Sequence, residues 1–198
     1  MRYQVHSRET LSKGFLTVEV LKLSHELFNG GYSEILTREL LQRGDAVAIL
    51  LHDPMLDEVV LVEQFRVGAI DEQNPWVLDL VAGMIEAGEV VDTVARRETQ
   101  EEAGLEIQGE CLPIARYYGS VGGCSEKTYL LYGRVDASKA AGVHGLESEG
   151  EDIKVRRMPT TDLYQLIASD EILPAGLIIA GQWLANREQS ADHTQSIP

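Results

Sequence analysis

Apolar and polar side chains alternate with period two along Thr17-Val18-Glu19-Val20-Leu21-Lys22-Leu23, and the alternation resumes at Ile35-Leu36-Thr37-Arg38. Between these stretches Phe28-Asn29-Gly30-Gly31 supplies turn chemistry, so Phe15 to Leu41 is expected to form an antiparallel β meander. Gln42-Arg43-Gly44-Asp45 breaks the pattern and sets a boundary near residue 44. Ala46 to Leu51 and Val59 to Phe65 then read as two apolar strands joined by His52 to Glu58. Arg66 to Pro75 reads as a loop, Trp76 to Ala82 as a strand, and Val90 to Ala103 as a helix stopped by Gly104. Strands are expected at Leu112 to Tyr118, Thr128 to Val135 and Ile153 to Met158, and helices at Thr161 to Ala168 and Pro174 to Arg187. The stretch 188–198 is polar and without periodicity, which predicts a frayed tail. Strands interspersed with helices indicate a mixed α/β core, here an N-terminal β part over 1–44 and a main domain over 45–187.

Composition narrows the functions such a core can serve. A chain of 198 residues with 44% hydrophobic and 25% charged side chains is of ordinary globular make-up. The 32 acidic against 17 basic side chains give a formal net charge of −15, which disfavours nucleic acid and anionic membrane surfaces as partners. An anionic substrate remains open to a pocket whose local arginines and divalent cations reverse the field. Cys111 and Cys124 lack the spacing of a zinc site and read as reduced cysteines. The N-terminus carries no apolar core of signal-peptide type, and the run Ile172 to Gly181 contains Pro and Gly. A cytoplasmic protein is expected.

Candidate chemistry concentrates in Gly83-Met84-Ile85-Glu86-Ala87-Gly88-Glu89, followed after seven residues by Arg97-Glu98-Thr99-Gln100-Glu101-Glu102-Ala103-Gly104-Leu105. On a helix Glu98 and Glu102 stand at i and i+4 and Glu101 at i+3, so three carboxylates crowd one side. Read alone, such a face is solvated, and Glu102 is expected at a solvent-facing position. Carboxylates this close repel unless a cation intervenes, and they are the hard oxygen ligands that Mg²⁺ or Mn²⁺ prefers. Arg97, on the adjoining face, can neutralise and orient them. A second acidic concentration, four carboxylates within 147–152, sits in a Gly-containing stretch that reads either as a solvated loop or as a mobile one carrying a base.

The spacing of glycine, glutamate, Arg-Glu, Glu-Glu and glycine resembles the Nudix box, with Thr99 where an aliphatic residue is usual. Most of the chain, from Phe15 to Trp183, resembles the ADP-ribose-cleaving bacterial branch of the Nudix hydrolases, through Leu27-Phe28-Asn29-Gly30, Val60 to Arg66, Pro75-Trp76, Val81 to Met84, Gly122 to Glu126 and Val143 to Asp152. The resemblance implies an α/β/α sandwich with a mixed sheet beside the small N-terminal antiparallel meander. It implies that Glu98, Glu102, Glu151 and the carbonyl of Ala82 hold Mg²⁺, with Mn²⁺ possible, and that Glu149 is the general base for a metal-activated water. It implies substrate contacts by Arg38, Glu39, Arg43, Arg66, Met84, Ser120, Val121, Gly122 and Glu126. In these relatives an aromatic pair from a partner subunit stacks on adenine; Phe15-Leu16 matches that pair, and a homodimer follows.

The expected reaction is hydrolysis of the ADP-ribose diphosphate to AMP and ribose 5-phosphate. Val121 stands where this branch carries proline, which keeps ADP-glucose and GDP-mannose open as alternative nucleotide-sugar substrates. A non-catalytic ADP-ribose-binding sensor is the alternative of a different class, and an acidic module that merely buffers cations is a third.

Overall fold

The structure, a computed structural model, describes residues 1–195, with side chains described as far as residue 189. The chain divides into two compact units, one formed by Met1–Asp45 with Tyr117–Thr128 and the other by 46–116 with the chain from 129 onward. In the first unit β1 (Tyr3–Lys13), β2 (Thr17–His25) and β3 (Leu36–Gln42) make a three-stranded antiparallel sheet in the order β1-β2-β3. The meander was expected from Phe15 onward; β1 precedes it. Periodicity misses β1 because a strand signals itself by burying alternate residues, and here Ser7 alone is even partly buried. The Phe28–Gly31 turn forms as expected, with Gly30 and Gly31 at φ of 87° and 81°, a region open to glycine. The segment 117–128 is tied to β3 by an isolated parallel bridge between Leu41 and Cys124.

The second unit is built on an eight-stranded mixed sheet. Its strands are β4 (Ala46–Asp53), β5 (Glu58–Phe65), β6 (Trp76–Asp79), β7 (Val81–Met84), β8 (Gln108–Tyr118), β9 (Lys127–Arg134), β10 (Val143–His144) and β11 (Ile153–Pro159). The order is β10-β11-β5-β4-β9-β8, with β6 on β5 and β7 on β4. The single strand expected over Trp76 to Ala82 is divided, because the chain changes partner at buried Leu80. Helix α1 (Val91–Ala103) follows β7, and α2 (Thr160–Ile167) and α3 (Ala175–Gln195) follow β11.

Why β4 reads as a continuous apolar run is visible in its two faces. Val47, Ile49 and Leu51 join Val60, Val62, Val81, Val94 and Ala95 in one core that includes α1. On the opposite face the His52 ring lies 5.8 Å from Tyr132, whose ring lies 5.3 Å from Trp183 of α3. A strand covered on both sides has no polar face to show, and each fully buried Val or Leu contributes about 1.5–3 kcal/mol. Helices therefore flank the sheet as an α/β/α sandwich. Helix α3 runs beyond Arg187 into the stretch expected to fray, since 188–195 contains neither Pro nor Gly to stop it. The rest of that expected tail, 196–198, lies outside the described residues.

Candidate metal and substrate site

Helix α1 ends where Gly104 takes the left-handed conformation at φ 65°, its N–H donating to the Gln100 carbonyl while Leu105 N–H reaches Thr99. Glu98, Glu101 and Glu102 crowd the C-terminal half of this helix, and its last turn carries no basic residue. Negative side chains there oppose the helix macrodipole as well as one another. Thr99, the departure from the aliphatic pattern, is fully buried and donates its hydroxyl to the Ala95 carbonyl at 2.7 Å, so its polar atom is satisfied within the helix.

Glu102 departs from the expectation of a solvent-facing position. It is 2% exposed, packed beneath β7, and its Oε2 accepts a hydrogen bond from Ala82 N–H at 3.0 Å. The i, i+4 spacing correctly places Glu98 and Glu102 on one face, but that face turns inward. Burial pushes the Glu102 carboxyl up to about 8 against the pull of the Ala82 N–H, and the neighbouring negative charges of Glu98 and Glu151 add to the rise. Glu98 is pushed up to about 7, first by burial and then by Glu101 and Glu151, with Arg97 opposing. Arg97 Nη1 lies 2.8 Å from Glu98 Oε1 and 3.1 Å from Glu101 Oε2.

Gly83 explains how the helix comes so near the strand. A Cβ built there would fall 1.9 Å from Glu98 Oε1 and 2.0 Å from its Cδ. Any side chain at 83 would occupy the place of the carboxylate. The loop from Gly145 to Glu151 docks on the same helix end, with Gly145 N–H donating to the Glu101 carbonyl at 3.1 Å. Glu151 closes this loop on itself, its Oε2 accepting from Leu146 N–H at 3.0 Å and its own N–H reaching the Leu146 carbonyl. Glu147–Glu149 is an exposed single turn, and Glu149 is exposed within it.

Of the remaining expected residues in this unit, Arg66 is half-exposed with Nη2 3.8 Å from Asp79 Oδ2, and its positive charge favours ionised Glu102. Asp79 is raised by burial, a feature its place among Val77, Leu78, Leu80 and Val81 could have signalled. Met84 ends β7 and is half-buried. In the first unit Arg43 Nε and Glu126 Oε2 meet at 2.7 Å, and Ser120 to Gly122 lies in an exposed turn closed by Cys124 N–H on the Ser120 carbonyl. Arg38 and Glu39 are exposed neighbours on β3. Phe15 is 91% exposed and Leu16 40%, so neither is core packing.

The α1 carboxylates are not the tightest set of potential metal ligands. Among the described residues the group whose ligand atoms all lie within 4.8 Å of one another is His52, Asp57 and Glu188. Sequence reading did not reach it, since the three come from a strand, a turn and a distant helix. Cys111 and Cys124 are unpaired. No helix among the described residues is long and apolar enough to cross a membrane.

A sandwich with an acidic helix clamped over a glycine of the adjoining strand defines a class, and comparison with known proteins agrees. The NUDIX domain family matches residues 42–176, and the chain belongs to the Nudix family. It is 44% identical over 188 residues to the ADP-ribose pyrophosphatase of Escherichia coli strain K12, covering 94% of this chain and 90% of the relative. It is 41% identical to the ADP-ribose pyrophosphatase of Haemophilus influenzae, covering 91% and 85%. A solved structure described as an ADP compounds hydrolase shares the fold with a TM-score of 0.69 at 20% identity, covering 94% of this chain and 96% of that one.

Proposed function

We propose that this Nudix hydrolase cleaves the diphosphate of ADP-ribose to AMP and ribose 5-phosphate, using Mg²⁺ with Mn²⁺ as a substitute. The substrate reading rests on the 44% identity to an ADP-ribose pyrophosphatase across 94% of the chain. The donor chemistry supports the ion: half-buried Glu98 and buried Glu102 are mutually repelling carboxylates whose proton affinities are raised first by burial and then by neighbouring negative charge, and a hard cation relieves both effects. Glu98, Glu102, Glu151 and the Ala82 carbonyl would hold it. When bound, such an ion supplies charge neutralisation and Lewis acidity toward diphosphate oxygens.

The chain's own residues carry the rest. Glu149 accepts the proton of the attacking water as its oxygen bonds to phosphorus and the bridging P–O bond breaks. Arg97 neutralises and orients Glu98, and Arg66 offers a guanidinium fork to phosphate oxygens. Met84, Arg38, Glu39, Arg43, Ser120, Val121, Gly122 and Glu126 are assigned as substrate contacts, with Phe15 and Leu16 offered to the adenine of a partner subunit's substrate. The enzyme is accordingly assigned as a cytoplasmic homodimer; unpaired Cys111 and Cys124 suit a reducing compartment.

The deciding experiment measures kcat/KM with Mg²⁺ for ADP-ribose, ADP-glucose, GDP-mannose, diadenosine polyphosphates and nucleoside triphosphates, with products identified. ADP-ribose is expected to lead and to yield AMP and ribose 5-phosphate. A higher kcat/KM for another member of the panel would reassign the substrate, and no turnover of any would favour a sensor.

A further inference from the structure

On the sheet face opposite α1, at the end of β4, His52 is 5% exposed. Its Nδ1 is hydrogen-bonded with the Tyr132 hydroxyl at 3.0 Å, while Nε2 is buried and meets no hydrogen-bond partner. A buried polar atom left unpaired is costly and asks for an occupant. The carboxylates of Asp57, in the β4–β5 turn, and Glu188, on α3, approach the imidazole so that the three ligand atoms lie within 4.8 Å of one another.

Neighbouring groups hold each of these side chains in orientation. Thr160 Oγ1 donates to Asp57 Oδ1 at 2.6 Å, and the Tyr164 hydroxyl donates to Glu188 Oε2 at 2.6 Å. These bonds leave the second oxygen of each carboxylate outside them. Tyr132 in turn packs against Trp183, with the Arg187 guanidinium over both rings. A histidine that gives its Nδ1 proton to Tyr132 presents the Nε2 lone pair to a ligand, the arrangement in which metal-binding histidines are usually supported. Burial holds the imidazole below its ordinary pKa and so favours that neutral ring, although Glu188, Asp57 and Asp53 pull the other way.

We propose that His52 Nε2, Asp57 and Glu188 form a second divalent-cation site, separate from the α1 carboxylates and taking Zn²⁺ or Co²⁺ in preference to Mg²⁺. One imidazole and two carboxylates suit borderline ions, whereas Mg²⁺ favours oxygen alone. Tetrahedral ligands around zinc stand about 3.4 Å apart, from metal–ligand distances of roughly 2.0–2.2 Å, so drawing the three ligand atoms inward from their 4.8 Å grouping completes the set. Three protein ligands leave one position for water. Bound there, the ion joins α3 to the β4–β5 turn.

The test uses full-length metal-stripped protein in excess Mg²⁺, titrated with Co²⁺ and followed by bound stoichiometry and visible absorption. A Glu98→Gln/Glu102→Gln protein is expected to bind one Co²⁺ per chain that Zn²⁺ displaces. Asp57→Asn and Glu188→Gln should each weaken that binding about 10-fold or more. Because replacing buried His52 risks the fold, its ring is followed by ¹⁵N NMR in the unsubstituted protein, where Zn²⁺ should shift Nε2 far more than Nδ1. Binding indifferent to Asp57→Asn and Glu188→Gln, absence of binding in the Glu98→Gln/Glu102→Gln protein, or an unmoved His52 Nε2 would each overturn the proposal.

Discussion

A single methyl group separates the arrangement of Gly83 and Glu98 from one that cannot form. In Gly83→Ala the new Cβ meets the far end of a flexible glutamate rather than backbone, so the fold should survive while the Glu98 carboxylate is displaced. Divalent-cation affinity and turnover are expected to fall by about 10- to 100-fold, the usual cost of disturbing a metal ligand's support, with the melting temperature nearly unchanged. A Mg²⁺ titration alongside turnover checks this; unaltered cation dependence would remove Glu98 from the ligand set. Glu149 and Glu151 share one loop but differ in engagement, Glu149 being exposed and Glu151 tied to Leu146 N–H. Glu149→Gln should lower kcat by about 10² to 10⁴ with little change in KM, the signature of a lost general base. Glu151→Gln should instead shift the metal-concentration dependence. Full kcat in Glu149→Gln across pH, with substrate and Mg²⁺ saturating, would move the search for the base to Glu101, Glu126 or Glu147.

At the scale of elements, α1 is the device that brings the carboxylates to the strand, and its C-terminal cap sets where it stops. Gly104 has positive φ, and a Cβ there would also lie 2.4 Å from the His144 ring of β10. Gly104→Ala is therefore expected to destabilise the protein by about 1–3 kcal/mol, combining left-handed backbone cost with the collision. Adding His144→Ala should recover part of that loss, and urea denaturation of the double-mutant cycle measures how much. Additive effects would show that His144 does not feel the cap. The helix and its glycine stop were legible from periodicity and from Gly104 itself, as were β4, β5, β9 and β11. Strand β1 was not, because it buries almost nothing, and neither was the division of β6 from β7, which depends on which neighbour each half pairs with.

For the molecule as a whole, the raised carboxyls of Glu98 and Glu102 link folding to pH and to cations. A carboxyl whose folded pKa exceeds its unfolded value binds its proton more tightly in the native state. Its contribution is therefore full at low pH and is lost as pH rises through the folded value. Between the ordinary glutamate range and the values of about 7 and 8, the metal-free protein should lose stability with increasing pH, and Mg²⁺ should restore more of it at the alkaline end. Thermal melts with and without Mg²⁺ at several pH values check the slope; a metal-free melting temperature rising over that window would contradict it. The first unit exposes Tyr3, Leu11, Phe15, Phe28, Tyr32 and Ile35, with Phe28 95% exposed. The proposed homodimer would give these exposed apolar side chains a surface to bury against. Sedimentation of the full chain should give a dimer that Leu11→Asp or Phe28→Asp shifts toward monomer; a wild-type monomer would sink the shared-site reading.

What the amino-acid sequence determined by itself was local or fixed by spacing: the strands that bury a face, the helix, the glycine at its end, and the carboxylates that one helix turn brings together. Those follow from backbone periodicity, which needs no knowledge of neighbours. Tertiary structure alone decided that Glu102 faces inward, that Gly83 must lack a side chain, and that the charge of Glu151 reaches Glu98 and Glu102. It also decided the meeting of Arg43 with Glu126 and of His52 with Asp57 and Glu188. Burial and long-range proximity depend on which surfaces the sheet lays against each other, and that is a property of packing that no window of sequence contains.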